Sequence, residues 1–191
     1  MDWFSADLHL GHDNIRKYCL RPFSSVEVMD RAIIDTWNSM VKPSDRAFIC
    51  GDVAFGKQED VICYLKQLNG QLHLIRGNHD HRRVYKGDVL KHLIWMKEYH
   101  ELKIKDEEMD ETQVIVLFHY PIGSWNKMHH GSWQLHGHSH GSYPESDHLA
   151  QYDVGMDKNS FKPVSYDEVK AIMTRKVFKP VDHHGMPLPK V

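Results

Sequence analysis

The sequence predicts an α/β protein whose first half alternates strands with helices and whose second half is a more antiparallel, strand-rich region. Three observations carry this. Short apolar runs at 2–7, 47–50 and 72–75 are separated by stretches whose apolar residues recur at spacings of three and four. Continuous or alternating apolar runs at 99–105, 114–118 and 134–136 follow, with no comparable helical period between them. Glycine, asparagine or proline closes most of these segments.

Residues 2–7 read as a first strand ending at Asp7, and 8–24 as a loop with a short helix near Asn14–Tyr18. Ser24-Ser25-Val26-Glu27 carries a capping-box pattern, in which a serine oxygen and a glutamate satisfy each other's free backbone N–H groups. Val26, Met29, Ile33, Trp37 and Met40 then form one apolar face of a helix that ends before Pro43. Ala47–Cys50 is a strand running into Gly51-Asp52. Glu59–Leu68 is a helix stopped by Asn69-Gly70, and Leu72–Ile75 is a strand followed by Arg76-Gly77-Asn78-His79-Asp80. Tyr99–Lys105 alternates as a strand, Asp106–Glu111 is an acidic turn, and Val114–Phe118 is a buried strand ending at His119. Gln134–His136 leads into Gly137-His138-Ser139-His140, Gln151–Val154 is a further strand, and Ser165-Tyr166-Asp167-Glu168 caps a last helix to about Lys176. The tail beyond about 180 holds two prolines and little pattern, and is expected to be loosely held.

With 191 residues and no repeat or linker, the chain fits one domain over 1–191. A net charge of −2 argues against an extended nucleic-acid surface, while leaving room for a nucleotide or short strand. Three cysteines with no C-x-x-C pair suit a reducing compartment. The start lacks a leader pattern and no apolar run approaches 18 residues, so the expected location is the cytoplasm.

Sixteen histidines are several times the usual share. Five segments set some of them at strand ends: Asp7-Leu8-His9, Gly51-Asp52, Gly77-Asn78-His79-Asp80, His119, and Gly137-His138-Ser139-His140. Loops at the carboxyl ends of strands converge on one crevice in α/β sheets. In extended chain, residues two apart point the same way, so Asp7 with His9, and His138 with His140, can each face one ion. Glycines 51, 77 and 137 permit sharp turns. Carboxylate, imidazole and amide donors suit manganese, iron, zinc, nickel or cobalt better than calcium. At least seven such donors without a cysteine are enough for two ions. Each motif alone is weak, because Asp-x-His arises by chance and Gly-Asp is an ordinary turn. The ordered set of five is specific.

That ordered set resembles the calcineurin-like metallophosphoesterases: D-x-H, GD, GNH(D/E), a lone histidine after a strand, and GH-x-H, spanning Asp7 to His140. Asp7-Leu8-His9-Leu10-Gly11-His12, Arg21-Pro22-Phe23 and Gly51-Asp52-Val53-Ala54-Phe55-Gly56 are similar to its short phage and bacterial members, with Phe55 standing where the broader pattern has an acid. The resemblance implies a four-layer α/β/β/α sandwich of two mixed sheets. It implies that Asp7, His9, Asp52 and His140 hold one metal, and that Asp52 bridges to a second held by Asn78, His119 and His138. His79 would protonate the leaving oxygen and Asp80 would orient it by hydrogen bonding. Two divalent ions, manganese first and iron, zinc, nickel, cobalt or magnesium otherwise, would share an attacking hydroxide. The implied activity is phosphoester hydrolysis on a small phosphorylated substrate, a monoester or a diester, a nucleotide or cyclic nucleotide among them. The location would be the host cytoplasm for a phage-borne chain. A non-catalytic metal-binding or scaffold module of the same fold is the alternative.

Other residues carry weaker readings. His12 could line the substrate pocket or cap a loop. Arg16, Lys17, Arg21, Arg82 and Arg83 could meet a phosphate or lie in solvent. Trp125 and Trp133 could stack on a base but read better as core, and His136 reads as packing behind the site. His129 and His130 could contact substrate but read better as a solvated loop, and His183 and His184 read as bystanders.

Overall fold

The computed structural model describes residues 1–106 and 111–179; the centre of the expected acidic turn and the tail, with His183 and His184, lie outside the described residues. Strand β1 (Asp2–Ser5) leads through α1 (Asp13–Tyr18) and α2 (Val26–Met40) to β2 (Arg46–Ile49), then α3 (Gln58–Gln67) and β3 (Gln71–Ile75). A 3₁₀ turn at Gly87–His92 precedes β4 (Trp95–Lys97), β5 (Tyr99–Asp106) and β6 (Glu111–Phe118). The chain closes with β7 (Trp133–His136), β8 (Gln151–Asp153), β9 (Val164–Ser165) and α4 (Tyr166–Met173).

Two mixed sheets result. The first runs β4-β3-β2-β1-β9, parallel except that β9 is antiparallel to β1. The second runs β5-β6-β7-β8, with β5 antiparallel to β6 and the other pairs parallel. The second half is therefore less antiparallel than its sequence suggested. Its parallel strands are joined by long stretches without α-helix, so the period that announces a crossover is missing.

Alternation along the first sheet sorts two cores. Trp3, Ala47, Ile49, Leu72 and Leu74 face Met29, Ile33 and Trp37 of α2 and Val61 and Leu65 of α3. Phe4, Phe48 and Ile75 face Leu102, Ile104, Ile115 and Leu117 of the second sheet, where α4 adds Val169 and Met173. Two mixed sheets packed together with flanking helices are the expected architecture. Ser25, rather than Ser24, caps α2 by accepting from Val28 N, one residue later than the motif implied. The Ser165–Glu168 capping box starts α4 as expected. No helix among the described residues is long and apolar enough to cross a membrane.

Candidate metal centre

All five segments leave their strands at the same edge. The loop after β1 runs beside the loop after β2: Asp7 N donates to Gly51 O, His9 N to Asp52 O and Leu10 N to Val53 O, each at 3.0 Å. Ala6 bridges to Gly155 beyond β8, which ties the first sheet to the second at the site. Gly137 N donates to His119 O at 3.0 Å, drawing together the ends of β6 and β7.

The backbone there is not extended. Asp7, His9, Asp52, His138 and His140 have φ of 56°, 54°, 56°, 69° and 48°. Asp7 and His9 meet through paired left-handed residues, not through strand alternation, and His138 and His140 turn to different donors, Asn78 and His9 respectively. Each such residue costs roughly 1–2 kcal/mol, tolerated where surrounding structure over-determines it. Of the three glycines, only Gly51 has positive φ, at 99°. Gly77 and Gly137 are needed for close approach: a Cβ on Gly77 would strike Asp52 Oδ1 and lie 2.6 Å from Asp52 N, and one on Gly137 would lie 2.6 Å from Asp7 Oδ2.

Two donor sets emerge around Asp52. His9 Nε2 lies 4.0 Å from Asp7 Oδ1 and 3.7 Å from Asp52 Oδ2, and Asp7, His9 and His140 offer atoms within 4.8 Å of one another. On the other side, His119 Nε2 lies 3.6 Å from the same Asp52 Oδ2 and 2.8 Å from Asn78 Oδ1, and His138 Nδ1 is 3.0 Å from Asn78 Oδ1. The other Asp52 oxygen accepts from His79 N at 2.9 Å, leaving Oδ2 to face both sets. Asp7 Oδ1 and His9 Nε2 are buried without a hydrogen-bond partner. Unmet buried acceptors are rare in proteins, and a cation between them is what such atoms fit.

The electrostatics agree. Burial, then the charge of Asp52, pushes Asp7 well above the ordinary carboxyl value. Burial and the Asp80 charge raise Asp52 to about 6. Burial holds His9 well below its usual value and lowers His119 and His138. Crowded carboxylates beside neutral imidazoles are the state that divalent cations relieve.

A model of the calcineurin-like phosphoesterases matches residues 3–105. This chain belongs to that family. The uncharacterized protein MJ1445 of Methanocaldococcus jannaschii is 32% identical over 93% of this chain and 94% of its own length. The Gene 66 protein of Mycobacterium phage L5 is 28% identical over 87% of this chain and 91% of its own. A crystal structure of a protein of unknown function, AQ665 from Aquifex aeolicus, superposes with a TM-score of 0.67 at 21% identity, covering 90% of this chain and 98% of that one; at that identity the likeness concerns the fold. The phosphoesterase family is one of metal-dependent hydrolases, in keeping with the donor clusters here.

The remaining family residues fall into place around the donors. The His79 ring, half-buried, lies 5.5 Å from that of His9 and 5.0 Å from Phe55. Asp80 does not orient it by the hydrogen bond expected. Its two oxygens accept from Asp52 N and Gly77 N at 2.8 Å and Val53 N at 3.1 Å. Buried amides of two loops need acceptors, and Asp80 supplies them, so it acts on His79 only by fixing the turn. His12 neither caps α1 with its side chain nor lies loose. Its Nδ1 sits 3.4 Å from His9 Nδ1 and its ring stacks on Phe55, centroids 3.9 Å apart. For His9 to offer an Nε2 lone pair, its Nδ1 must carry the proton, and His12 Nδ1 is placed to accept it. Phe55, where the family pattern has an acid, is the platform for this pair.

The cations sort differently from the sequence reading. Arg16 is spent on Asp13 and on Phe23 O, 2.8 Å away. Arg82 pairs with Glu98 at 3.1 Å and is exposed; its neighbour Arg83 shares a cavity wall with His79 and Phe55. Arg21 is wholly buried and holds Asp157 with two bonds of 2.8 Å, Leu8 O at 2.9 Å and Asp7 O at 2.6 Å. Asp157 in turn sits 2.7 Å from His140 Nδ1, freeing Nε2 of that ring to face the site. Asp153 accepts from Ser139 Oγ at 2.7 Å and from Gly141 N at 3.0 Å, shaping the last loop. The sequence reading missed both aspartates. Asp153 lies within the predicted strand Gln151–Val154 and closes β8, so its strand-end position was a usable signal; Asp157 had none. His136 is buried behind the site, and Trp125 and Trp133 are core, as expected. His129 and His130 lie in an exposed 3₁₀ turn.

Proposed function

We propose that this protein hydrolyses phosphoester bonds with two divalent ions, one held by Asp7, His9, Asp52 and His140, the other by Asp52, Asn78, His119 and His138. The observation that carries the reading is Asp52 Oδ2, which faces His9 Nε2 at 3.7 Å and His119 Nε2 at 3.6 Å. Bound there, the ions supply Lewis-acid activation of water and neutralise charge on the phosphoryl group. The protein's own residues do the rest. Cys50 O accepts from His119 Nδ1 and Asp157 from His140 Nδ1, fixing both rings as donors toward the centre. His79, anchored through its backbone to Asp52, carries a proton to the leaving oxygen, a contribution of roughly 10²–10⁴-fold. Arg83 on the same cavity wall offers positive charge to the departing group. Manganese is the first expectation for this mixed oxygen and nitrogen set, with iron, zinc, nickel, cobalt or magnesium as alternatives. The substrate is a small phosphorylated molecule and the setting the cytoplasm.

The test is turnover of aryl phosphate esters with manganese, magnesium, nickel and zinc, beside metal analysis. His79→Ala should keep two ions per chain and lose at least about 10²-fold in kcat. A purified protein that binds no divalent metal and is inert on every ester would sink the proposal and favour a scaffold role. Unchanged kcat in His79→Ala would remove only the proton donor.

A further inference from the structure

Two cavities open off this centre, and they are unlike. One, of about 230 Å³, is walled by His79, Phe55 and Arg83. The other, of about 580 Å³, is walled by the donor histidines His138 and His140 and extends past Tyr18, Tyr143, Pro121 and Pro144. Its volume falls in the range that holds a drug-sized group. Among the described residues, no lysine, arginine, aspartate or glutamate lines it. Its two serine hydroxyls already donate, Ser139 to Asp153 and Ser142 to Ser139 O at 2.6 Å. What remains for an occupant is ring and proline surface. Tyr18 is 72% exposed and Tyr143 39%, although large side chains of this kind usually bury their faces. Such open rings are platforms on which a flat group stacks.

We infer that the site takes phosphodiesters, and that the ester group retained on phosphorus, a neutral aryl or nucleoside ring, occupies the cavity walled by Tyr18 and Tyr143. The inference rests on the phosphoester reading above and assigns its substrate class. In hydrolysis the water oxygen bonds to phosphorus, the bond from phosphorus to the leaving oxygen breaks, and that oxygen takes its proton from His79. The leaving group therefore lies in the smaller, His79-walled cavity. A monoester has no second ester group and would leave the larger cavity without a role. A diester fills both, and yields a monoester and an alcohol. The uncharged lining rejects a second phosphate as the retained group, which sets polyphosphates and dinucleoside polyphosphates aside.

The test holds the leaving group constant. Four p-nitrophenyl esters are compared by kcat/KM with manganese: the phosphate monoester and the methyl, phenyl and thymidine 5′ diesters. The wild type should prefer a ring-bearing diester to the methyl diester by about ten-fold, the order expected for one stacking contact, and should turn over the monoester most slowly. In Tyr18→Ala/Tyr143→Ala the ring-to-methyl ratio should fall to near one, and in Tyr18→Phe/Tyr143→Phe it should be retained. Both tyrosines are exposed, so the variants should keep the wild-type melting temperature. Whether phenyl or thymidyl is the better group identifies the ring and supports the inference either way. A ratio of one in the wild type, an unchanged ratio in the alanine variant, or a monoester as best substrate would overturn it while leaving the phosphoester reading intact. Inertness on all four esters with every metal would instead overturn that underlying reading, and the inference with it.

Discussion

Arg21→Ala should be among the most damaging single changes outside the donor residues. The guanidinium is fully buried and satisfies Asp157 bidentately, together with the carbonyls of Leu8 and Asp7. Removing one partner of a buried ion pair costs about 3–5 kcal/mol, because the other charge is left uncompensated. Two carbonyls also lose their donor, at roughly 1–3 kcal/mol each if no water reaches them. Asp157 keeps its His140 bond, and water can enter the space vacated, so about 4 kcal/mol is the working figure. At roughly 2–4 °C per kcal/mol for a chain of this size, the melting temperature should fall by about 8–16 °C. Urea unfolding in chelator at neutral pH measures the first number and calorimetry the second. The loss should depend on pH. Burial works against the Asp157 carboxylate, but the bonds from His140 and Arg21 outweigh it and hold its pKa below the ordinary value. A depressed folded pKa gives stability that is present above the unfolded pKa and lost as pH falls. The gap between wild type and variant should therefore narrow below about pH 4. Metal content should drop from two ions toward one, since Asp7 and His140 both lose support. Arg21→Lys keeps the charge without the fork and should recover half of the loss at most. A loss under about 1 kcal/mol with both ions retained would refute the reasoning and make Arg21 an ordinary charge.

Three further outcomes are expected. Gly77→Ala drives a Cβ into the Asp52 carboxylate and should abolish binding of both ions together, read by metal analysis, whereas loss of one ion alone would contradict the shared role of Asp52. His12→Ala removes the acceptor behind His9 and should weaken the first site about 10–100-fold in a competitive chelator titration, with the second site unaffected. Chelation should lower the melting temperature, and manganese at about 1,000 times its dissociation constant should restore about 4 kcal/mol; a transition indifferent to metal would argue against the orphaned Asp7 and His9 atoms as ligands.

The donor residues were legible because their chemistry is rare and their positions are strand ends, which a short apolar run followed by glycine marks well. What the sequence concealed falls into two kinds. Strands β4 and β9 have three and two residues, too few for any period to register, and the parallel pairing of β6, β7 and β8 is joined without helices. The second kind is long-range ionic pairing. Arg21 and Asp157 lie 136 positions apart, and nothing in either neighbourhood names the other. Arg21 could therefore be placed from sequence only against a substrate phosphate or in solvent, whereas its buried donors are taken by Asp157 and by the carbonyls of Leu8 and Asp7. Arg82 misled for the converse reason: adjacency to His79 suggested contact, but the turn directs Arg83 to the cavity and Arg82 to Glu98.

The left-handed backbone at the donors explains why spacing alone identified them without describing them. An ion needs donors converging within a few ångströms from several directions. Extended strand points alternate side chains the same way but sets them about 6–7 Å apart along the chain, too far for one ion. In the first triplet, turning Asp7 and His9 into positive φ brings His9 Nε2 to 4.0 Å from Asp7 Oδ1, and in the second the same turn at His138 and His140 directs one ring to Asn78 and the other to His9, at a local conformational cost. That cost is met by the neighbouring loops: Gly51 O and Asp52 O hold the first triplet, and Asp7 Oδ2 accepts from His138 N at 2.8 Å to hold the second. Asp7 thus anchors a loop with one oxygen and offers the other, unpaired, to an ion. Asp52 divides its oxygens the same way between His79 N and the two donor sets. Binding and backbone strain are therefore coupled through the same two carboxylates. An Asp7→Asn change should on this account disturb the His138 loop as well as the first ion, visible as altered His138 and His140 ring signals by NMR even in chelator; unchanged signals there would separate ligation from loop geometry.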